Sequence, residues 1–298
     1  MQSLWMVVAA LFYAVYGMCI KFAGACGVGS WEILFYRSFF GLIFIYTVMR
    51  LKGINIHTLH PWAHTVRSIA GTCAIVGGIY SISHLNLGLA MTLNYTAPLF
   101  LGFFVLVYSL KNHARINWGL MTSLVFGFIG VLTLLGPTIG PNEYFAAGIG
   151  LFAGLCTALA TGFVKRLGTF HEPEGRIIFF LMLAGTLCGL ICILLFGQFT
   201  AWTWESFLWI LGLCACSTMG QVTLTLAFSR GNMVLSGALQ YTVILFSTLL
   251  GEIVFGEAVT VAVILGMIII VLAGFSASWF TKKEQSHLKT ASKKNLSK

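Results

Sequence analysis

Ten apolar runs, each about the length of a membrane helix, recur along the whole chain and restrict its fold more than any other feature. They lie at about 3–22, 31–50, 65–84, 90–110, 117–136, 145–164, 177–197, 205–226, 234–255 and 259–280, each bounded by charge, Pro or Gly. A hydrocarbon core about 30 Å thick takes roughly 20 helical residues at about 1.5 Å each. Barrel strands cross in about ten residues of alternating polarity, so these runs predict helices. The composition agrees: 58% of residues are hydrophobic and 8% charged, too few charges to clothe a soluble domain of 298 residues. The expected fold is all-α, a polytopic membrane protein with ten transmembrane helices. The first run has no basic segment ahead of it and nine more follow, so it reads as a span rather than a cleavable signal.

Every acid in the chain is Glu, and Asp is absent. That removes Asp-centred calcium loops, a Walker-B aspartate, a Ser-His-Asp triad and an Asp dyad. The net charge of +9 in so apolar a chain points to membrane orientation, not nucleic acid, because Lys and Arg gather in cytoplasmic loops. Alternate loops and the tail hold Arg50, Lys52 and Arg67; Lys111 and Arg115; Lys165, Arg166 and Arg176; Arg230; then Lys282, Lys283, Lys289, Lys293, Lys294 and Lys298. Only Lys21 and Arg37 lie toward the other side. Both termini are therefore expected in the cytoplasm, with 281–298 as a Lys-rich tail beside anionic lipid.

At an offset of 146 residues the chain repeats itself. Leu93-Asn94-Tyr95-Thr96-Ala97-Pro98-Leu99-Phe100 falls on Leu239-Gln240-Tyr241-Thr242-Val243-Ile244-Leu245-Phe246, with five of eight positions identical. Both segments lie in the fourth span of a five-span half. Five is odd, so the second half enters the membrane upside down, an arrangement many carriers share. The predicted organisation is two inverted five-helix repeats, 1–140 and 141–280, followed by the tail.

Ten spans in two halves, with a last hairpin Phe255-Gly256-Glu257-Ala258-Val259-Thr260 followed by Gly266 and Gly274, resemble the EamA-type branch of the drug/metabolite transporter superfamily over about residues 3–280. Lys21, Arg37 within Trp31-Glu32-Ile33-Leu34-Phe35-Tyr36-Arg37, and Thr96-Ala97-Pro98 match the family's habit. The resemblance implies a carrier of small organic solutes, amino-acid-like, nucleoside-like or vitamin-like, in a bacterial cytoplasmic membrane. The chain departs from the family in span one, where Phe12-Tyr13-Ala14-Val15-Tyr16-Gly17 replaces the frequent Trp-Gly pairing and no Glu is present.

Polar side chains inside a span should face a bundle interior or a wet cavity. Arg37, six residues into span two, is expected to meet substrate or serve a gate; a structural ion pair or snorkelling would explain it too. Asn94, Tyr95, Gln240 and Tyr241 are expected to bracket a midplane site, since amides donate and accept and Tyr offers a ring with a hydroxyl. Interhelical hydrogen bonding is the plainer alternative. Tyr13, Tyr16, Gln221 and Thr225 are secondary lining candidates. Glu252 is expected to pair with Arg37 or Lys21 as an outer gate, and Glu257 to stabilise its hairpin. Pro98 removes a backbone donor near the middle of span four and predicts a bend there.

Gly150-x3-Gly154 and Gly185-x3-Gly189 predict close helix packing. His57, His60 and His64 have metal-like spacing, but Pro61 interrupts them, and a wet, unliganded cluster is expected. His84 is a titratable group at the end of span three. The cysteines show neither zinc nor disulfide spacing. No metal, cofactor or catalytic residue is expected; the partners are a small-molecule substrate and the bilayer, for a monomer or homodimer. A carrier cycling by alternating access is the favoured reading; a channel or a structural or regulatory membrane protein are the alternatives.

Overall fold

The computed structural model describes residues 2–280 apart from 112–117, 136–139, 141–142, 198, 202, 232, 258–259, 262–263, 274 and 277–278. The Lys-rich tail and Arg115 lie outside the described residues. The chain is all-helical there, with no strand among the described residues. After a short 3-10 turn come α1 (Trp5–Ala25), α2 (Ser30–Leu51), α3 (Pro61–His84), α4 (Leu87–Asn94), α5 (Ala97–Lys111) and α6 (Trp118–Leu135). Then follow α7 (Tyr144–Thr169), α8 (Glu174–Phe196), α9 (Trp204–Ser229), α10 (Met233–Gln240), α11 (Thr242–Phe255) and α12 (Ile264–Ala273). Seven stretches of the described chain are long and apolar enough to cross a membrane.

Three antiparallel pairings dominate the packing: α1 lies on α9, α2 on α8 and α3 on α7. The helices are apolar nearly all round, so size and polarity decide which face turns inward. On α2, Leu34, Arg37, Ser38, Gly41 and Ile45 are buried, while Phe39, Phe40, Ile43 and Phe44 are exposed. The large side chains face outward, where lipid is as apolar as they are, and the small and polar ones let helices approach. Gly185 and Gly189 of α8 sit against Ser38 and Phe35 of α2.

The fourth apolar run, where a bend is expected at Pro98, and the ninth, where none is, are both interrupted. Each is two helices. The fourth breaks at Tyr95-Thr96 between α4 and α5, the ninth at Tyr241 between α10 and α11. Pro98 stands in the first turn of α5, where its missing donor is harmless, but the ninth run has Ile244 at the matching position and breaks as well. Both breaks fall at the shared tyrosine, and the threonine after it is back-bonded in each: Thr96 Oγ1 donates to Leu93 O at 2.8 Å and Thr242 Oγ1 donates to Leu239 O at 2.7 Å. Gly154 of α7 makes the first break packable: a Cβ there would lie 2.9 Å from the Leu93 carbonyl oxygen.

The third span also begins earlier than its apolar run. Pro61 starts α3, a position where proline's fixed φ and missing N–H cost nothing. Arg67, counted above with the cytoplasmic loop, therefore lies about 9 Å inside the helix at 1.5 Å per residue and is 3% exposed.

Candidate functional site

A cavity of about 110 Å³ lies in the middle of the bundle. α1 contributes Tyr13 and Tyr16, α2 Arg37, α9 Gln221, and the two broken spans Asn94, Tyr95 and Gln240. Seven of the eight residues singled out as substrate-contacting thus line one chamber. The eighth, Tyr241, is buried elsewhere, 2% exposed. Asn94 and Gln240 each end the first half of a broken span, so helix breakage brings two amides to the same chamber.

The wall is cross-linked by its own polar groups. Arg37 Nη1 donates to Tyr16 Oη at 2.9 Å, and its guanidinium carbon lies 5.0 Å from the Tyr16 ring centroid. Tyr13 Oη donates to Gln221 Oε1 at 3.1 Å, and Gln221 Nε2 donates to Thr225 Oγ1 at 3.2 Å. The Tyr13 ring stands 6.2 Å from Tyr16 and 6.4 Å from Tyr95. Asn94 Nδ2 donates back to Ala90 O at 2.9 Å. Together these bonds hold Tyr13 and Tyr16 in position at the chamber.

Sequence reasoning missed Arg67. It lines the chamber with Gly71, Ala74, Ile75, Gly78, Ile79 and Ile82, all of α3. Their spacing of mostly three and four is one helical face, so a wheel drawn from Pro61, rather than from the apolar run, would have found it. Thr157 and Thr161 of α7 were missed too; nothing in the sequence separates them from ordinary interhelical threonines.

The ends of the bundle are tied at both faces. On the near face, which holds the α1–α2 turn, Lys21 pairs with Glu257, whose carboxylate also accepts from the Leu87 backbone N–H at 2.8 and 3.0 Å. A carboxylate at the first turn of α4 matches the positive end of that half-helix. Glu252 does not fill the gating role expected of it: it is exposed, and the pair to Lys21 falls to Glu257. The reason is backbone geometry. Gly256 ends α11 in a left-handed conformation, φ 61°, and turns the chain back so that Glu257, not Glu252, points at α1. Glu32 adds a second tie, accepting from Thr200 N at 2.8 Å and Thr200 Oγ1 at 2.9 Å.

On the far face Glu172 is the centre. It accepts from Thr58 Oγ1 and Arg176 Nη1, both at 2.6 Å. Burial pushes its carboxyl up, but the hydrogen bonds from Thr58 and Arg176 and the Arg176 charge outweigh that and hold it below the ordinary carboxylate range. His64 Nε2 lies 3.7 Å from it. His64 is 2% exposed, so the expected wet histidine cluster does not form; His60 stacks on Phe170 and His57 is exposed.

Membrane-length helices around a buried polar chamber, with two helices broken at its wall, are the build of a multi-pass membrane transport protein. The chain belongs to the EamA-like transporter family, whose model matches residues 1–136 and 145–279. It is 27% identical over 274 residues to the pseudopaline exporter CntI of Pseudomonas aeruginosa, covering 91% of this chain and 94% of that one. An uncharacterized transporter of Helicobacter pylori is 25% identical over 233 residues, 74% of this chain and 75% of its own. A solved crystal structure superposes with a TM-score of 0.69 at 16% identity, over 93% of this chain and 97% of that one, a likeness of fold. Family and relatives point to a transporter rather than an enzyme.

Proposed function

We propose that this transporter is a secondary carrier that moves a small organic solute by alternating access, with its site in the mid-membrane chamber. The observation that carries the reading is Arg37, 2% exposed, standing in that chamber beside an amide from each broken span and the tyrosines Tyr13, Tyr16 and Tyr95. A buried cation needs a partner, and an acidic or zwitterionic head on an amino-acid-like, nucleoside-like or vitamin-like solute supplies one. Tyr13, Tyr16 and Tyr95 offer aromatic faces; Asn94, Gln221 and Gln240 offer amides.

In this reading ten spans form two inverted halves, α1–α6 and α7–α12, that rock about the chamber. The packing supports it: exchanging the halves turns α1 on α9 into α7 on α3, and leaves α2 on α8 unchanged. The cation count supports a cytoplasmic far face with both termini on that side, and an outer near face; the family resemblance supports a bacterial membrane. Likeness to a pseudopaline exporter supports outward movement. Lys21 with Glu257 serves as the outer gate.

The test is counterflow in proteoliposomes with a panel of labelled amino acids, nucleosides and vitamins, comparing wild type with Arg37→Ala and Gln240→Ala. Saturable flux lost in both folded variants is the expected result. Unchanged flux removes the site; no saturable flux for any solute removes the carrier and returns the chain to a structural role.

A further inference from the structure

Arg37 has company that the carrier reading does not use. Arg67 lines the same chamber, and among the described residues no Asp, Glu or His lines it with them. Among the described residues neither guanidinium has a carboxylate partner within ion-pair distance, while Glu172, Glu174 and Glu257 are all engaged elsewhere. The chamber wall therefore carries two buried positive charges, each 3% exposed or less. Burying such charges without a counter-ion is strongly unfavourable.

The unsatisfied atoms agree on the sign. Of the lining atoms that are themselves fully buried, Arg37 Nε and Nη2, Arg67 Nε and Gln240 Nε2 have no hydrogen-bond partner among the described residues. All four are donors. A complementary ligand must present acceptors, and forked guanidiniums match carboxylates and phosphates best. Gly71 keeps the second arginine in place, since a Cβ there would lie 2.2 Å from Arg67 Nη1.

The two charges also stand at different depths. α2 has 22 residues, about 33 Å at 1.5 Å each. Arg37 is seven residues from its near-face end and Arg67 six from the far-face end of the antiparallel α3, which leaves their Cα atoms roughly 14 Å apart along the bundle. Two arginines that enter the chamber from opposite ends suit a solute with an acidic group at each end. We infer that the transported solute is an elongated organic dianion, with separated acidic groups that seat on Arg37 and Arg67 and an apolar middle lying against Tyr13, Tyr16 and Tyr95. This inference rests on the carrier reading and narrows its substrate class.

Glutarate, adipate and pimelate are the probes, with their monoamides as matched monoanions and glycerol 3-phosphate as an anion with one acidic end. Thermal stabilisation of purified protein and counterflow are read for wild type, Arg37→Gln, Arg67→Gln, Arg67→Lys and Gly71→Ala. The expected result is that one or more dicarboxylates stabilise and exchange, and monoamides and glycerol 3-phosphate do so about tenfold more weakly or worse, the value of one charged hydrogen bond. Either Arg→Gln change brings the dicarboxylate down to the monoamide level, Arg67→Lys restores part of it, and Gly71→Ala behaves like a weakened Arg67. Equal response to dicarboxylate and monoamide, a preference for glycerol 3-phosphate, or indifference to Arg67→Gln in monodisperse protein overturns the dianion. Silence of every dicarboxylate overturns it as well. Flux of a neutral or monoanionic solute that needs Arg37 and not Arg67 overturns it while keeping the carrier; absence of flux for every solute takes the carrier with it.

Discussion

Arg37 and Tyr16 show how one buried cation is kept in position. The Tyr16 hydroxyl accepts from Nη1 and its ring faces the guanidinium, so Tyr16→Phe keeps the ring contact and removes the acceptor. Losing a hydrogen bond to a charged group costs about 1.5–3 kcal/mol. Tyr16→Phe should therefore weaken solute binding by about tenfold with the detergent-solubilised protein still monodisperse, and counterflow at varied solute concentration reads this as a raised half-saturation. Arg37 was legible in the sequence because a lone cation inside a long apolar run has few explanations. Arg67 was not, because it sits where an apolar run fades into a polar loop, and only the start of α3 at Pro61 decides which side of the interface it occupies. Glu252 and Glu257 were confused for a similar reason: five residues apart, they are separated by a left-handed glycine that sequence spacing does not reveal.

The broken spans are the elements that bring these residues together. The repeated Leu-Asn/Gln-Tyr-Thr motif was visible in the sequence, and so was a bend at Pro98. That the second copy breaks without proline was not visible, because a threonine back-bond leaves no more trace than any other threonine in a helix. Two expectations follow from the common bond. Pro98→Ala alone should leave transport within a few-fold of wild type, because Thr96 still holds the turn. Thr96→Val with Pro98→Ala should abolish most of it, by letting α4 and α5 merge and swing Asn94 and Tyr95 off the wall. Counterflow of the single and double variants distinguishes proline from threonine as the cause. Gly154 provides a stability test of the same junction: Gly154→Ala presses a methyl onto the Leu93 carbonyl oxygen. Overpacking of this kind costs about 1–3 kcal/mol and should lower the unfolding midpoint.

At the scale of the whole molecule, the bundle is tied at both ends, and the ties differ in kind. The near face is held by the Lys21–Glu257 pair over the start of α4 and by Glu32 with Thr200; the far face by Glu172 with Thr58 and Arg176. Two Glu–Thr contacts, one per face, each join a loop of one half to the other half, so in the proposed cycle they are the contacts expected to break when a face opens. Glu172 makes the far tie sensitive to acid. Its folded carboxyl titrates below the ordinary range, so it binds protons less readily folded than unfolded, and the stability it contributes is complete above the unfolded carboxylate range and lost as the pH falls through the folded value. The unfolding midpoint of wild type should therefore fall on acidification below the usual carboxylate range, and Glu172→Gln should start lower at neutral pH and lose less of its remaining stability over that interval. Glu257→Gln acts on the opposite face and weakens the tie to Lys21 while keeping the side-chain shape. If near-face opening limits the cycle, counterflow should rise in Glu257→Gln and rise likewise when Lys21 is also replaced by Met, which strands no charge and removes the same contact. A cysteine placed at Asn94 reports the geometry directly: its labelling by a membrane-impermeant maleimide from the near face should quicken in the Glu257→Gln background and stay at the wild-type rate in Glu172→Gln. Equal quickening by both changes would mean that the two ends open together, and a rocking cycle with one face open at a time would have to be abandoned.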